Sequence, residues 1–274
     1  LSDAPSALGP HDPREARFFD RHARLEDLST VFQPVVRLED GRRFGYEALM
    51  RGPEHGLSPT GLFAQAAALR SAGKLGRMIR EVAVSLCRGT PLFINIHPSE
   101  LEEGWIARSD DPIFAHDDDL YLEISESVPV THADLCTTVL RAACKHTGVY
   151  LVVDDFGAGY SNVQLIADLE PKFVKLDRKI VAGVESSQRK QRLVASVVRL
   201  CHEMGAEVVA EGIETRDELA ALRDAGAHYG QGYLLGRPSF PAPPITWPPP
   251  PPDGRPLRTI STIPPAPRTP RTGS

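Results

Sequence analysis

Residues 149–155 read VYLVVDD, a short apolar run that stops abruptly on two adjacent aspartates. A β-branched run of this length is too short for a helix and suits a strand buried on both faces, as in a parallel sheet. The same pattern recurs in both directions. Upstream lie VFQPVV (31–36), FGYEALM (44–50), PLFINI (91–96) and LYLEI (120–124); downstream lie FVKL (173–176), EVVA (207–210) and GQGYLL (230–235). Longer amphipathic segments separate most of these runs, which is the pattern of parallel strands covered by helices. Eight runs predict a closed barrel rather than an open sheet.

The helical segments carry their own signals. Leu193, Val197, Leu200 and Met204 recur at i, i+4, i+7 and i+11 and predict an apolar stripe facing the barrel wall. Thr215 followed by Glu218 has the form of a capping box and places a helix start after EVVA. Gly148 suits the end of a helix over Leu135 to His146. The linker LEDGRR (38–43) is too short for a helical crossover, so the first two strands form an antiparallel hairpin. The predicted fold is α/β: a TIM-like (β/α)8 barrel with one reversed strand, over residues 28–240.

The flanks differ from this core. Residues 1–27 mix charge with Pro and Gly and predict a partly disordered leader with a short helix, too small for a sensory domain. The chain opens on Leu1 rather than Met, as a fragment or processed product does. Residues 241–274 hold about half of the 25 prolines and almost no core-forming side chains. They predict a disordered or polyproline II tail, either a plain unstructured end or a docking segment for an unknown protein partner.

With 41% hydrophobic residues the chain can fill a large core, and its net charge of −5 gives no basic field for DNA or RNA. Cys87, Cys136, Cys144 and Cys201 form no C-x-x-C pair and read as reduced core residues. No apolar stretch approaches the roughly 20 residues of a membrane helix, and the start lacks a signal-peptide pattern, so a cytoplasmic location is expected.

In a parallel barrel the site lies at the C-terminal rim, where polar residues end the apolar runs. Here these are Glu47, Asn95, Glu123, Asp154, Asp155, Lys175, Glu211 and Gln231. Carboxylates converging on one rim repel one another unless cations neutralise them. Oxygen ligands without Cys or His select Mg²⁺ or Mn²⁺, while Ca²⁺ fits the same ligands without supporting chemistry equally well. A carboxylate shared between two ions roughly 3.5–4 Å apart would suit in-line phosphoryl displacement. Lys175 adds a fixed positive charge, and Arg51 can contact a phosphate. His97, with no matching His or Cys cluster, reads as a packing or loop residue. FGAGYSN (156–162) lacks a full G-x-G-x-x-G and reads as a rim loop.

From about Val31 to Phe240 the sequence resembles the EAL domain family of cyclic di-GMP phosphodiesterases. Glu47-Ala48-Leu49 is followed in order by FINIHP, LEISES, DDFGAGY, VKLDR, VVAEGIET and QGYLLGRP. The resemblance implies hydrolysis of cyclic di-GMP to linear pGpG with two Mg²⁺ or Mn²⁺ ions, inhibition by Ca²⁺, and a homodimer. It implies that Glu47, Asn95, Glu123, Asp154, Asp155 and Glu211 bind metal, with Asp154 as the bridge. Glu47, Lys175 and Glu211 would be catalytic, although Glu211 either binds metal or positions the water. Gln33, Arg51 and Gln231 would contact the dinucleotide; Glu126 and Glu214 would support the rim loop and the EGIE turn.

Two departures stand out. Many relatives read DFGTGYSS where Ala158 and Asn162 occur here, and RGPEHGLSP (51–59) replaces the more usual RW-x-H-P. The competing reading is a catalytically silent cyclic di-GMP receptor or a protein-interaction scaffold, which missing ligands would signal. None of the expected ligands is missing. An unrelated Mg²⁺-dependent barrel lyase would carry no such ordered motif set.

Overall fold

The computed structural model describes residues 13–52, 56–125, 138, 140, 144, 149–159 and 163–247. Glu126, Cys136, Asn162, Gly148, residues 1–12 of the leader and the tail from 248 lie outside the described residues, and of the helix expected over Leu135 to His146 only Thr138, Leu140 and Cys144 are described, all three helical.

Eight strands close a barrel in sequence order: β1 (Ser29–Arg37), β2 (Arg43–Arg51), β3 (Leu92–Asn95), β4 (Leu120–Ser125), β5 (Val149–Phe156), β6 (Phe173–Leu176), β7 (Glu207–Ala210) and β8 (Tyr229–Gly230). β1 runs antiparallel to both neighbours, β2 and β8, and every other pair is parallel, so the barrel has the single reversed strand expected, and it is β1. The eighth strand is shorter than GQGYLL predicts. Gln231 follows it, and Gly232–Leu235 form a turn. A Cβ at Gly232 would lie 2.2 Å from the Ile213 backbone. Ile213 N donates to Gln231 O and Leu234 N donates to Ile213 O, which diverts the chain from the sheet at that close approach.

The described helices are α1 (Pro13–His22), α2 (Pro59–Ala68), α3 (Ala72–Leu86), α4 (Pro98–Glu102), α5 (Val163–Leu169), α6 (Arg178–Val181), α7 (Gln188–Glu203) and α8 (Arg216–Asp224). The face that α7 buries is Val194, Val197, Val198 and Cys201, whereas Leu193 is 50% exposed. The predicted stripe is therefore one residue out of phase and shares only Val197 with the buried face. The capping box is present at α8: Thr215 Oγ1 accepts from Glu218 N at 3.1 Å, and Glu218 Oε2 accepts from Thr215 N. None of the described helices is long and apolar enough to cross a membrane.

Packed structure extends on both sides of residues 28–240. The leader's α1 buries Phe18 and Phe19 in a cluster with Leu62, Ala66, Leu75 and Ile79. Beyond Pro241, Pro243 O accepts from Tyr46 Oη at 3.0 Å and Thr246 N donates to Leu235 O at 2.8 Å. Trp247 packs on the main core.

Between the helices and the strands lies the main apolar core, and inside the barrel lies a second one. The inner layer comprises Val35, Phe93, Tyr121, Val152, Phe173, Val209 and Tyr229, with Phe44 packed against it. Phe44 is skipped by the register shift at Val35/Val36, and its ring lies 4.8 Å from Tyr229 and 5.4 Å from Phe173. These rings fill the barrel as a plug, not a pore.

A buried ion cluster fixes α3 to the segment after β3. Arg80, fully buried, donates through Nε and Nη2 to Asp111 at 3.0 and 2.8 Å and through Nη1 to Glu100. Glu100 Oε1 in turn accepts from His97 N at 2.9 Å, and His97 Nδ1 accepts from Ser99 N, so His97 caps α4. Its ring stacks on Phe63 at 5.0 Å. The chain that leaves Asn95 is thereby held at the rim. Removing the guanidinium by Arg80→Ala leaves two carboxylates buried without their cation, which costs about 3–5 kcal/mol. Urea unfolding should show that loss; an unchanged midpoint would mean that the cluster holds nothing together.

Candidate active site

One periodicity builds the site. Side chains two apart on a strand share a face, so each residue of the inner apolar layer is followed, two positions toward the rim, by a polar one. Phe93 leads to Asn95, Tyr121 to Glu123, Val152 to Asp154, Phe173 to Lys175, Val209 to Glu211 and Tyr229 to Gln231. On reversed β1 the step runs backward from Val35 to Gln33, which pairs with Glu47 on β2. The polar layer thus sits directly on the aromatic plug.

Lys175 occupies its centre and is fully buried. Its Nζ lies 2.8 Å from Glu123 Oε1, 2.8 Å from Glu211 Oε1, 3.2 Å from Glu47 Oε2 and 3.3 Å from Asp154 Oδ1. Asn95 Nδ2 bridges Glu47 Oε1 at 3.1 Å and Glu123 Oε2 at 3.0 Å. Gln231 Nε2 donates to Glu47 Oε2 at 2.7 Å and to Gln33 Oε1 at 3.1 Å, while Gln33 Nε2 donates to Gly236 O.

Asp154 and Asp155 would point to opposite faces of a regular strand. Here β5 is irregular between Val153 and Phe156, and Asp155 takes the left-handed conformation at φ +58°. Asp155 N donates to Asp154 Oδ1 at 2.9 Å. The two aspartates and Glu211 then present carboxylate oxygens within 4.8 Å of one another.

The charges in this layer do not balance. Five carboxylates, Glu47, Glu123, Asp154, Asp155 and Glu211, share the layer with the Lys175 ammonium, which pairs with all but Asp155. Burial, then the neighbouring charge of Glu47, pushes Glu123 well above the usual carboxylate range. Burial likewise raises Asp154 and Asp155, the latter also through Asp154, and it pushes Glu211 up to about 8 against the pull of Lys175. Burial would raise Glu47 too, but Lys175 and the Gln231 hydrogen bond override it and hold it low. Burial would lower Lys175, and the four carboxylates around it override that, holding it firmly protonated.

The donor set fits a hard divalent cation. It is all oxygen, and it wants more positive charge than Lys175 supplies. Gln231 Oε1 is buried without a hydrogen-bond partner, and Glu123 Oε1 meets Lys175 at 2.8 Å without hydrogen-bond geometry. Glu47, Asn95, Glu123, Asp154, Asp155 and Glu211 could together hold such ions.

Above the layer opens a cleft of about 490 Å³, lined by Gln33, Glu47, Asp154, Asp155, Glu211 and Gln231 among others. Arg51 is not in that lining. It is exposed at the end of β2, with Nη1 donating to Met50 O at 3.0 Å. Glu214 does line the cleft and pairs with Arg178 Nη2 at 3.0 Å. Leu49, Asp177, Arg178 and Tyr233 also line it and were not singled out by the strand-end rule. The signal for Asp177 and Arg178 was their position directly after Lys175-Leu176.

The family model of the EAL domain matches residues 18–238. The cyclic di-GMP phosphodiesterase PA2567 of Pseudomonas aeruginosa is 35% identical over 230 residues, which cover 79% of this chain and 39% of that protein. The chain thus spans about two fifths of the length of this curated relative. Among solved structures, Klebsiella pneumoniae BlrP1 in its manganese/cy-diGMP complex at pH 6 superposes with a TM-score of 0.69 at 33% identity, covering 80% of this chain and 57% of that one. The calcium/cy-diGMP complex of BlrP1 at pH 8.0 gives a TM-score of 0.65 at 32% identity, covering 77% and 56%.

The raised Glu211 makes stability depend on pH. Above the ordinary carboxylate range the unfolded chain loses this proton while the folded chain keeps it until about pH 8. Stability therefore falls as pH rises through that window. In metal-free buffer the unfolding temperature should drop from about pH 5 to about pH 9, and the slope should be shallower in Glu211→Gln. Equal slopes in the two proteins would show that Glu211 holds no extra proton.

Proposed function

The chain belongs to the EAL domain family, and on that premise we propose that it hydrolyses cyclic di-GMP to linear pGpG in a reaction that requires Mg²⁺ or Mn²⁺. The observation that carries the reading is the complete polar layer: Lys175 ringed by Glu47, Glu123, Asp154 and Glu211, with Asn95 and Asp155 beside them. The names of PA2567 and of the BlrP1 manganese complex support the substrate and the metal class.

In this reading Glu47, Asn95, Glu123, Asp154, Asp155 and Glu211 hold two divalent ions. When bound, such ions acidify water and stabilise the leaving oxygen of a phosphodiester. Lys175, kept protonated by its carboxylates, orients the attacking water and offsets charge on the phosphate. The amides of Gln33 and Gln231 face the dinucleotide from β1 and the end of β8. Arg51 joins them only by releasing the Met50 carbonyl. Glu214 supports the EGIE turn through Arg178, and Glu126 has the corresponding role at the rim loop.

Ca²⁺ takes oxygen ligands at 2.3–2.6 Å in flexible geometry, whereas Mg²⁺ demands an octahedron at 2.0–2.1 Å. Calcium therefore fills this oxygen site but positions the reacting groups poorly, and the reading includes its inhibition. A homodimer also belongs to the reading, as does the absence of DNA or RNA substrates, which the net charge of −5 supports.

Purified protein with Mg²⁺ or Mn²⁺ should release pGpG, resolved by chromatography. Glu47→Ala and Lys175→Ala should each lower kcat by at least about 100-fold, the scale of losing one preorganised electrostatic group. Excess Ca²⁺ should suppress turnover. Tight cyclic di-GMP binding with no pGpG at saturating metal would make the protein a silent receptor instead.

A further inference from the structure

The short helix α6 begins three residues after Lys175 and touches both turns that carry the clustered carboxylates. On one side Arg178 Nη1 donates to Gly212 O, next to Glu211. On the other, Lys179 Nζ donates to Ala158 O at 2.8 Å, three residues beyond Asp155. Ile180 fills the remaining space: its Cδ1 lies 2.0 Å from where a Cβ on Gly157 would be, and Gly157 has φ +95°. The FGAG turn therefore rests on α6 through an ammonium and a methyl group.

Ala158 brings only backbone groups to this contact. Its N donates to Asp155 O at 3.0 Å, closing the turn behind the aspartate, and its O receives Lys179. Displacing Ala158 thus moves the carbonyl end of Asp155, whose left-handed backbone directs the carboxylate into the cluster. Lys179 is itself anchored. Asp177 Oδ1 accepts from its N at 2.9 Å, and its carbonyl accepts from Lys190 Nζ of α7 at 3.2 Å.

We infer that Lys179 is a positioning residue: its bond to the Ala158 carbonyl sets the placement of Asp155 relative to Asp154 and Glu211, and so the affinity of the site for a divalent cation. The inference rests on the reading that these carboxylates hold the metal. Groups that orient metal ligands typically change affinity about 10- to 100-fold when removed. Lys179 acts one turn away from its carboxylate, so the expected change is smaller. Because the side chain is exposed, its loss should leave stability almost untouched.

The test compares wild type, Lys179→Met and Lys179→Arg. Mn²⁺ binding is read from the loss of the free-ion electron paramagnetic resonance signal, alongside turnover of cyclic di-GMP and the unfolding temperature. Lys179→Met should raise the Mn²⁺ concentration for half-occupancy at least about threefold, below the range for direct outer-sphere partners. The metal requirement for turnover should shift by the same factor at unchanged unfolding temperature. Lys179→Arg, whose guanidinium reaches the same carbonyl, should recover most of the affinity. Wild-type affinity in Lys179→Met would overturn the inference, and so would equal losses in both variants accompanied by a fall in unfolding temperature. No Mn²⁺ binding by wild type would overturn this inference together with the proposed metal site. Mn²⁺ binding by wild type without turnover, with the Lys179→Met shift intact, would support the positioning role and remove only the hydrolase reading.

Discussion

The Lys175 ammonium at the barrel axis is the constraint on which the rest depends. An unpaired charge there would cost several kcal/mol, so the strands around it must supply carboxylates at the right height. Glu47 comes from β2, Glu123 from β4, Asp154 from β5 and Glu211 from just past β7. The lysine in turn offsets part of the charge that these acids carry at that depth. This mutual dependence specifies register: slipping β4 by one residue would turn Glu123 outward and send Ile124 into the polar layer.

The plug beneath the layer strengthens this effect. Phe44, Phe93, Tyr121 and Phe173 close the floor of the barrel with rings 4.5–6.0 Å apart, and the acids meet the cleft on the rim side. Charges held on a dry floor interact more strongly than the same charges in water. That is why burial is the leading influence on every raised carboxyl in the layer. A cleft that is open above and sealed below is suited to a polar ligand that brings, or is met by, cations.

Much of this was legible in the sequence because the barrel writes its site in a simple code. A short apolar run that is broken or ended by Asn, Glu, Asp or Lys identifies a strand and its rim residue together. The code failed where tertiary contacts override local composition. Tyr233-Leu234-Leu235 has the look of a strand, yet the approach of Gly232 to Ile213 turns the chain away. On α7, two overlapping apolar stripes share Val197, and the sheet selects the one that contains Val194 and Cys201. The Arg80 cluster was hidden because Glu100 and Asp111 are distant in sequence and ordinary in context. Arg51 was legible by type but not by direction, since nothing local reveals that its guanidinium turns to Met50.

Asp155 shows how the fold reconciles two incompatible demands. A parallel strand alternates its side chains, so two consecutive residues cannot both serve one face. Placing both carboxylates in the cluster requires breaking the alternation at the last possible residue, where the ladder loses least. The irregularity between Val153 and Phe156 does this, and the left-handed backbone at Asp155 is its local consequence. Aspartate tolerates that conformation better than a β-branched residue would, because its short polar side chain can bond locally. Here the bond runs the other way, from Asp155 N to the Asp154 carboxylate, so the strained peptide steadies the neighbouring ligand. Gly157 and α6 then return the chain to the wall, where Asp177 N donates to Phe156 O at 3.1 Å. The bulge, the left-handed aspartate and the short helix are thus successive parts of one solution to packing adjacent charges at a strand end.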